Sequence, residues 1–277
     1  MNYKMVGFVL GRIFLIEAAL MLFPMGCAAI YGEWSVVLSF LWPTLIVLAL
    51  GLITSLRTPQ NTKIYARDGL AIVALVWVLM SVFGALPFVI SGEIPAFADA
   101  FFETVSGFTT TGSTILTDVE ALSHGTLFWR SFSHWIGGMG VLVFAMAVLP
   151  MTDGRAMHLM RAEVPGPTCG KISSKLSDSA KILYAIYLVM TVIETILLCA
   201  GGMPLFDALI HAFGTAGTGG FSNYGSSVGA FDSAVIDAII TFFMVLFGIN
   251  FALFYRVLVG GWRDALRSEE LHWYLAL

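Results

Sequence analysis

Long uninterrupted apolar runs dominate this sequence, and they limit its possible folds more than any other feature. A run of about 20 apolar residues can cross the hydrocarbon core of a bilayer as an α-helix. Only 12% of the 277 residues are charged, about half the share that a water-soluble domain carries. We therefore expect an all-α polytopic membrane protein, with six spans at residues 6–31, 34–56, 69–90, 126–150, 180–201 and 234–258.

Two shorter apolar segments, residues 97–107 and 205–215, lie between these spans. Each has about 11 residues, which at about 1.5 Å per residue is too short to cross the bilayer. Each runs directly into a stretch of Thr and Gly. This pattern predicts a re-entrant half-helix, which enters the membrane and is followed by a loop that returns to the same side.

The distribution of basic residues predicts the orientation. All but one of the 14 Lys and Arg residues lie near the start of the chain or in loops on one side, and the exception is Arg130. The positive-inside rule makes that side cytoplasmic, together with the amino terminus. The half-helices would then enter from outside, where carboxylates would attract cations. The acidic residues expected there, each with an ordinary solvated position as its alternative, are Glu93, Asp99, Glu103, Asp118, Glu120, Asp207, Asp232 and Asp237.

The two short segments belong to an internal repeat. Residues 97–113 resemble residues 205–221, and each copy lies between two spans. The order span, half-helix, loop, span therefore occurs twice, after two leading spans. The alignment of the letters gives the first copy one additional residue, and its matched pairs are Asp99-Ala100 with Asp207-Ala208 and Thr111-Gly112 with Thr218-Gly219.

Thr and Gly at the end of a half-helix indicate a particular chemistry. Non-helical backbone within a membrane leaves carbonyl groups unpaired, which is tolerated where they line a hydrated path or face protein. Such carbonyls, together with Thr hydroxyls, are the oxygen ligands that a partly dehydrated alkali cation needs. Glycine permits the positive φ angles that turn successive carbonyls towards one axis. Two such loops predict a cation pathway, and the alternative is a pair of glycine-rich turns for helix packing.

Other classes of function have less support in the sequence. A secondary transporter that couples ions through discontinuous helices is the main alternative. An intramembrane enzyme would need a nucleophile–base pair, which the sequence does not suggest, and the five histidines and three cysteines do not cluster at metal-ligand spacing. The net charge of −4 does not indicate a nucleic-acid partner. We therefore expect no enzyme activity, no bound cofactor, and a monovalent cation as the transported substrate.

The sequence resembles the TrkH/TrkG/KtrB superfamily of bacterial potassium-uptake subunits over essentially its whole length. The resemblance includes both Thr-Gly loops and a Trp-Arg motif at the start of the fourth predicted span. The matching stretches are residues 102–113 (FETVSGFTTTGS), 127–130 (LFWR), 135–140 (WIGGMG), 165–168 (PGPT), 180–184 (AKILY) and 218–222 (TGGFS).

This resemblance implies a potassium-channel-like pore subunit, in which span–half-helix–span repeats surround one pseudo-fourfold axis. It implies potassium, or both potassium and sodium, as the transported ion. It also implies a homodimer in the inner cell membrane, with a cytoplasmic nucleotide-binding regulatory subunit of the TrkA/KtrA type. By the same resemblance, the ion-selectivity filter would be formed by Thr110, Thr111, Gly112 and Ser113 in the first loop and by Gly217, Thr218, Gly219 and Gly220 in the second.

Members of the superfamily have four repeats, whereas this sequence contains two. We expect either a fragment of a longer protein or two chains that pair to complete the pore. The expected division is residues 1–66 as two leading helices, 67–152 as the first pore repeat, 153–178 as a cytoplasmic connector, 179–260 as the second pore repeat, and 261–277 as a connector with the start of a third repeat.

Several residues within the spans carry further expectations. Arg130 either pairs with an acid such as Glu103 behind the filter or extends to the membrane interface. Glu17 is expected to hydrogen-bond a neighbouring helix, with an ion site as the alternative, and Glu194 either pairs with a neighbouring helix or faces a hydrated path. Small residues that favour close helix packing are Gly137, Gly138 and Gly140.

Overall fold

A computed structural model describes residues 1–61, 65–140, 176–258 and 261–276. Within those ranges every regular element is helical, which confirms the predicted fold class. The elements are α1 (Tyr3–Ile30), α2 (Trp34–Ser55), α3 (Ala66–Ser91), α4 (Phe97–Phe108), α5 (His124–Gly138), α6 (Leu176–Ala200), α7 (Leu205–Ala216), α8 (Ala234–Gly248), α9 (Phe251–Leu258), α10 (Trp262–Leu266) and α11 (Glu269–Ala276), with a 3-10 helix at Ser227–Phe231 between α7 and α8.

Within the described ranges, four helices are long and apolar enough to cross a membrane, namely α1, α2, α3 and α6. The leading helices α1 and α2 pack against each other, and both also contact α3 and α5. Small residues allow this close approach, because a Cβ added to Gly51 of α2 would lie 3.0 Å from the carbonyl oxygen of Gly11 in α1. The two leading spans therefore form one packed pair beside the first copy of the repeat.

Both predicted half-helices are confirmed as short helices. α4 and α7 have 12 residues each, and an aspartate lies in the first turn of each, Asp99 and Asp207. A carboxylate there stabilises the positive end of the helix dipole. α4 packs against α3 and α5, whereas α7 packs against α5, α6 and α8, so α5 contacts both short helices.

The sixth predicted span, residues 234–258, is not one straight helix. α8 ends at Gly248 and α9 begins at Phe251, and the two are bent by 91°. Ile249 between them has an extended conformation, with φ −75° and ψ 141°. The side chain of Asn250 then accepts a hydrogen bond from the N–H of Ala252 at 3.0 Å, so it competes with helix formation. Gly248 is a weak helix former, and Asn250 caps the start of α9. Together they interrupt a run that hydropathy alone treats as continuous.

The fourth predicted span, residues 126–150, is described only in part. α5 occupies its first half, and residues 141–150 lie outside the described residues. α5 and α8 have 15 residues each and both end at a glycine. Each also begins after a serine whose side chain accepts a hydrogen bond from a backbone N–H of the first turn, Ser123 in one case and Ser233 in the other. The helices that follow the two loops are therefore built alike.

The acids Glu17 and Glu194 are both fully buried within long helices. Glu17 does not make the predicted interhelical hydrogen bond, because both of its buried carboxylate oxygens lack a partner among the residues that the structure describes. No contact with another described residue explains its presence in α1. Glu194 is also fully buried, near Thr215 of α7, and both of its carboxylate oxygens likewise lack a hydrogen-bond partner among the described residues. The predicted hydrogen bond of Glu194 to a neighbouring helix is therefore not observed there.

Glu33, between α1 and α2, connects the leading pair to α5. Its carboxylate accepts hydrogen bonds from the backbone N–H groups of His124 at 2.9 Å and Gly125 at 3.0 Å, and it lies 2.9 Å from Nδ1 of His124. These N–H groups belong to the first turn of α5 and have no partner within that helix. Partial burial of Glu33 opposes ionisation, but these hydrogen bonds and the His124 ring outweigh it and lower the pKa of Glu33 below its ordinary value of 4.5.

We expect Glu33→Gln to lower the melting temperature of the detergent-solubilised protein near neutral pH. Because the folded-state pKa of Glu33 is lowered, its ionised form stabilises the fold above the ordinary pKa of 4.5. This stabilisation is lost as the pH falls through the lower folded-state value. The difference in melting temperature between wild type and variant should therefore shrink from about pH 7 to about pH 4. Glu269→Gln, at an exposed position of α11, is the control, and a difference independent of pH would exclude the carboxylate charge as the cause.

Candidate functional site

The loops after α4 and α7 have the same backbone conformation. In the first loop, Thr110 has φ 55° and Gly112 has φ 76°. In the second loop, Thr218 has φ 56° and Gly220 has φ 78°. A β-branched residue with a positive φ is rare and strained. Its occurrence in both loops indicates a specific shape rather than an irregular turn.

Hydrogen bonds show that each loop is anchored to its own short helix. The N–H of Thr111 donates to the carbonyl oxygen of Ser106 at 3.0 Å, and the N–H of Gly219 donates to that of Gly214 at 3.2 Å. In both copies the acceptor lies in the last turn of the short helix, five positions before the donor. The end of the short helix therefore determines how each loop begins.

The alignment predicted from the sequence is correct at Asp99 and Asp207, which lie 108 positions apart, but it is wrong by one residue at the loops. The backbone pairs Thr110 with Thr218 and Gly112 with Gly220, each 108 positions apart, so neither copy has an insertion. The comparison of letters instead paired Gly112 with Gly219, because both follow a threonine. Backbone conformation, rather than residue identity, defines the repeat.

This register changes the interpretation of Gly217. Gly217 is the C-cap of α7 and is buried against α5, where an added Cβ would lie 2.7 Å from the carbonyl oxygen of His134. Its counterpart is Thr109, which is the C-cap of α4. The part that the two loops share is therefore residues 110–112 and 218–220.

The backbone carbonyl groups of this shared part are unpaired within the described chain. No N–H or hydroxyl group of the described residues donates a hydrogen bond to the carbonyl oxygens of Thr110, Thr111, Gly112, Thr218, Gly219 or Gly220. By contrast, the carbonyl oxygen of Ser113 accepts a hydrogen bond from Oγ of Ser106 at 2.6 Å. Thr111, Ser113, Thr218 and Gly220 are exposed, and Thr110, Gly112 and Gly219 are half-buried. Carbonyl oxygens without a protein donor can accept a hydrogen bond from water or coordinate a cation.

The two loops touch each other at glycine residues. A Cβ added to Gly112 would overlap the carbonyl oxygen of Gly219. A Cβ added to Gly219 would overlap the imidazole of His134 and lie 2.8 Å from the carbonyl oxygen of Thr110. His134 is fully buried in α5, and nothing in the sequence identified it as a neighbour of the loops. Both glycines are therefore required by contact, and Gly112 is required by its positive φ angle as well.

Each loop is also held by a side chain of its short helix. Glu103 of α4 accepts hydrogen bonds from Oγ1 of Thr114 at 2.8 Å and from the N–H of Ile115 at 3.1 Å. The residue 108 positions after Glu103 is His211 of α7, whose Nε2 lies 3.1 Å from Oγ of Ser222, the counterpart of Thr114. The same two positions are therefore linked in both copies by different side chains. An ungapped alignment of the repeat would have revealed this correspondence.

Arg130 pairs with Glu103, as one of its two alternatives predicted. Nε of Arg130 lies 2.5 Å from Oε1 of Glu103, and the exposed fractions of the two residues are 3% and 1%. Arg130 also reaches the second loop. There Nη1 donates to the carbonyl oxygen of Ser222 at 2.8 Å, and the guanidinium carbon lies 3.6 Å from the ring centroid of Phe221. This second set of contacts was not predicted.

Two of the acids expected to face the outer side are buried instead. Glu103 is ion-paired behind the first loop. Asp207 accepts hydrogen bonds from Nδ2 of Asn223 at 2.7 Å and from the hydroxyl of Tyr224 at 3.2 Å. Both acids hold loop segments in place, so neither is free to attract ions. The acids that are exposed are Asp118, Glu120, Asp232 and Asp237.

Close packing of α5 is confirmed at Gly137 and Gly138. A Cβ added to Gly137 would overlap the carbonyl oxygen of Phe108, the last residue of α4. A Cβ added to Gly138 would lie 2.6 Å from the hydroxyl oxygen of Tyr187 and 2.8 Å from Cα of Gly217. These two glycines bring α5 against the ends of both short helices.

Comparison with known sequences extends these observations. Residues 35–269 match the family TrkH, described as a cation transport protein. The chain is 37% identical to the Trk system potassium uptake protein TrkH of Salmonella typhimurium, over 99% of this chain and 56% of that protein. It is 36% identical to the protein of the same name in Escherichia coli K12, with the same coverage. The chain thus spans about half the length of these relatives.

A solved structure has the same fold. The crystal structure of the potassium transporter TrkH from Vibrio parahaemolyticus matches with a TM-score of 0.79 and 31% sequence identity, covering 94% of this chain and 53% of that one. All of these matched proteins are transporters rather than enzymes. Sequence and fold agree, and this chain belongs to the TrkH family of cation transport proteins.

Proposed function

We propose that this chain forms part of a potassium pathway, as the pore subunit of a Trk-type uptake system. The observation that carries the proposal is the duplicated loop, in which Thr and Gly hold the same positive φ angles and leave successive carbonyl groups unpaired within the described residues. Such oxygens can replace the hydration shell of an alkali cation. The names of the matched relatives, which are potassium uptake proteins, favour potassium as the ion.

The proposed ion-contact residues are those predicted as the selectivity filter, except Gly217, which is buried against α5. Thr110, Thr111 and Gly112 would present oxygens from the first loop, with Ser113 beside them. In the second loop, Thr218, Gly219 and Gly220 would do the same, and Gly217 would hold the loop against α5. Both short helices end where their loop begins, so the negative ends of their dipoles would favour a cation.

The arrangement in the membrane follows the sequence-based expectation. We place the amino terminus on the cytoplasmic side of the inner cell membrane, with residues 1–66 as leading helices. Residues 67–152 and 179–260 would form two pore repeats, joined by the cytoplasmic connector 153–178 and followed by residues 261–277 as a cytoplasmic connector with the start of a third. A homodimer and a TrkA/KtrA-like nucleotide-binding regulatory subunit complete the proposed system.

Potassium uptake by the full-length gene product tests this function. The gene would be expressed in bacterial cells that lack their own potassium-uptake systems, and rubidium uptake would be measured with increasing sodium. We expect growth at limiting potassium, rubidium uptake well above that of empty-vector cells, and weak competition by sodium. A protein that reaches the membrane without supporting uptake would contradict the proposal.

Measurements in vesicles address the alternative of an ion-coupled secondary transporter. Uptake would be compared with and without an imposed sodium or proton gradient. A pore carries potassium down its own gradient alone, whereas a coupled transporter requires the second gradient. We expect uptake to proceed without it.

A further inference from the structure

We propose that Arg130 is a positioning residue that sets the spacing of the two loops, and thereby the preference for potassium over sodium. This inference rests on the function proposed above and names a residue that determines the specificity of that pathway. Arg130 lies on α5, outside the predicted filter, so its effect would be transmitted through the loops rather than by contact with the ion.

The two edges of the guanidinium group act on different loops. Nε pairs with Glu103, which in turn accepts a hydrogen bond from Oγ1 of Thr114 beyond the first loop. Nη1 donates to the carbonyl oxygen of Ser222 beyond the second loop, at 2.8 Å, and the face of the group lies against the ring of Phe221. A planar group with five donors can make these contacts together, whereas the ammonium group of lysine is a single point charge.

The positions that Arg130 holds are equivalent in the repeat. Thr114 and Ser222 lie 108 residues apart, each two residues after the glycine with a positive φ angle. Arg130 is linked to the first through Glu103 and to the second directly. A displacement of one loop relative to the other would therefore lengthen one of these bonds. Since Arg130, Glu103 and Phe221 are buried, water cannot easily replace a partner that Arg130 loses.

The two copies of the repeat differ in side chains as expected if Arg130 alone links the two loops. Seven positions after the capping serine, α5 has Arg130 and α8 has the apolar residue Ile240. The loop-holding residue is the acid Glu103 in the first copy and His211 in the second. A buried guanidinium needs a carboxylate partner, whereas a carboxylate buried without a cation would be unpaired. The acid therefore occurs in the copy that has the arginine.

The contacts of Arg130 lie close to the point where the two loops touch each other. Gly112 and Gly219 are in direct contact, so neither loop can move towards the other. The link through Arg130, which joins the segments that follow the two loops, would prevent the loops from separating. Preference among alkali cations depends on the number and spacing of the oxygens around them, so a separated pair of loops would lose preference before it lost conduction.

Arg130→Lys in the full-length protein is the principal test. It retains a charge beside Glu103 but cannot make both sets of contacts. Rubidium uptake would be measured with increasing sodium. The preference for rubidium over sodium should be about tenfold lower in the variant than in the wild type, which corresponds to the loss of one hydrogen bond from a charged group. Uptake itself should continue. Arg256→Lys, at an exposed position of α9, is the matched control and should leave the preference unchanged.

A double variant separates this role from simple charge neutralisation. Glu103→Gln combined with Arg130→Met removes both charges, so no buried charge is left unpaired, and the glutamine oxygen can still accept a hydrogen bond from Thr114 or Ile115. If Arg130 served only to neutralise Glu103, the double variant would recover the wild-type preference. We expect the preference to stay low, because the link to Ser222 is still missing.

Phe221→Leu gives an independent measurement, and it decides the question if the Arg130 variants do not reach the membrane. It leaves the ion pair intact and removes the ring against which the guanidinium lies, so the preference should fall in the same direction by a smaller factor. Unchanged preference in Arg130→Lys or Phe221→Leu, or recovery in the double variant, would overturn the inference. A wild-type protein that takes up no potassium would remove the proposed function, and the inference with it.

Discussion

Replacing Gly112 by alanine should reduce rubidium uptake at least about tenfold and let sodium compete effectively. Gly112 has φ 76°, a conformation that costs a residue with a Cβ roughly 1–2 kcal/mol. The new Cβ would also overlap the carbonyl oxygen of Gly219, and overpacking of this kind costs about 1–3 kcal/mol. The obstructing atom belongs to the backbone, so no side chain can rotate away and one loop must move.

Gly92→Ala is the matched control for this experiment. Gly92 ends α3 with φ 79°, but a Cβ added there meets nothing within 4 Å. It therefore imposes the same conformational strain without displacing a loop, and uptake should remain close to that of the wild type. An equal loss in both variants would attribute the effect to reduced stability. Normal uptake and preference in Gly112→Ala would show that the two loops do not shape the pathway.

Gly137→Ala should lower the stability of the whole protein. The added Cβ would overlap the carbonyl oxygen of Phe108 and lie 3.0 Å from Cγ2 of Thr110. Since α5 contacts both short helices, it cannot move away from one without disturbing its packing on the other. We expect a loss of about 1–3 kcal/mol, seen as a lower melting temperature in detergent and a smaller amount of protein in the membrane.

Gly26→Ala provides the comparison within a helix. Gly26 is in α1, and a Cβ added there has open space around it. Alanine favours a helix over glycine by about 1 kcal/mol, so this variant should melt at or above the wild-type temperature. If Gly137→Ala melted like Gly26→Ala, the close approach of α5 to α4 would not be a source of stability.

The short helices could be predicted to within about one residue, because their apolar runs are too brief to span a membrane and end at Thr and Gly. The pairing of Arg130 with Glu103 was one of two predicted alternatives, since a lone cation among acids can be stabilised by a partner. Both predictions depend on chemistry that is local to a few residues or on a charge that must be compensated.

Other features depend on three-dimensional packing that single letters do not encode. The register of the repeat was misassigned because Thr-Gly occurs in both loops, whereas φ angles distinguish Gly219 from Gly220. The contact of His134 with Gly219 and the reach of Arg130 to Ser222 join residues about 85–92 positions apart, and no periodicity reports them. The bend after Gly248 was missed because hydropathy does not register a change of backbone direction.

The two loops share one backbone shape but differ in side chains, with Thr111 in one at the position of Gly219 in the other. Because both are encoded in a single polypeptide, one codon change alters one wall of the proposed pathway and leaves the other as it was. In a channel assembled from identical subunits, the same change would appear on every wall at once. A chain of this kind can therefore acquire altered ion discrimination in small graded increments during evolution.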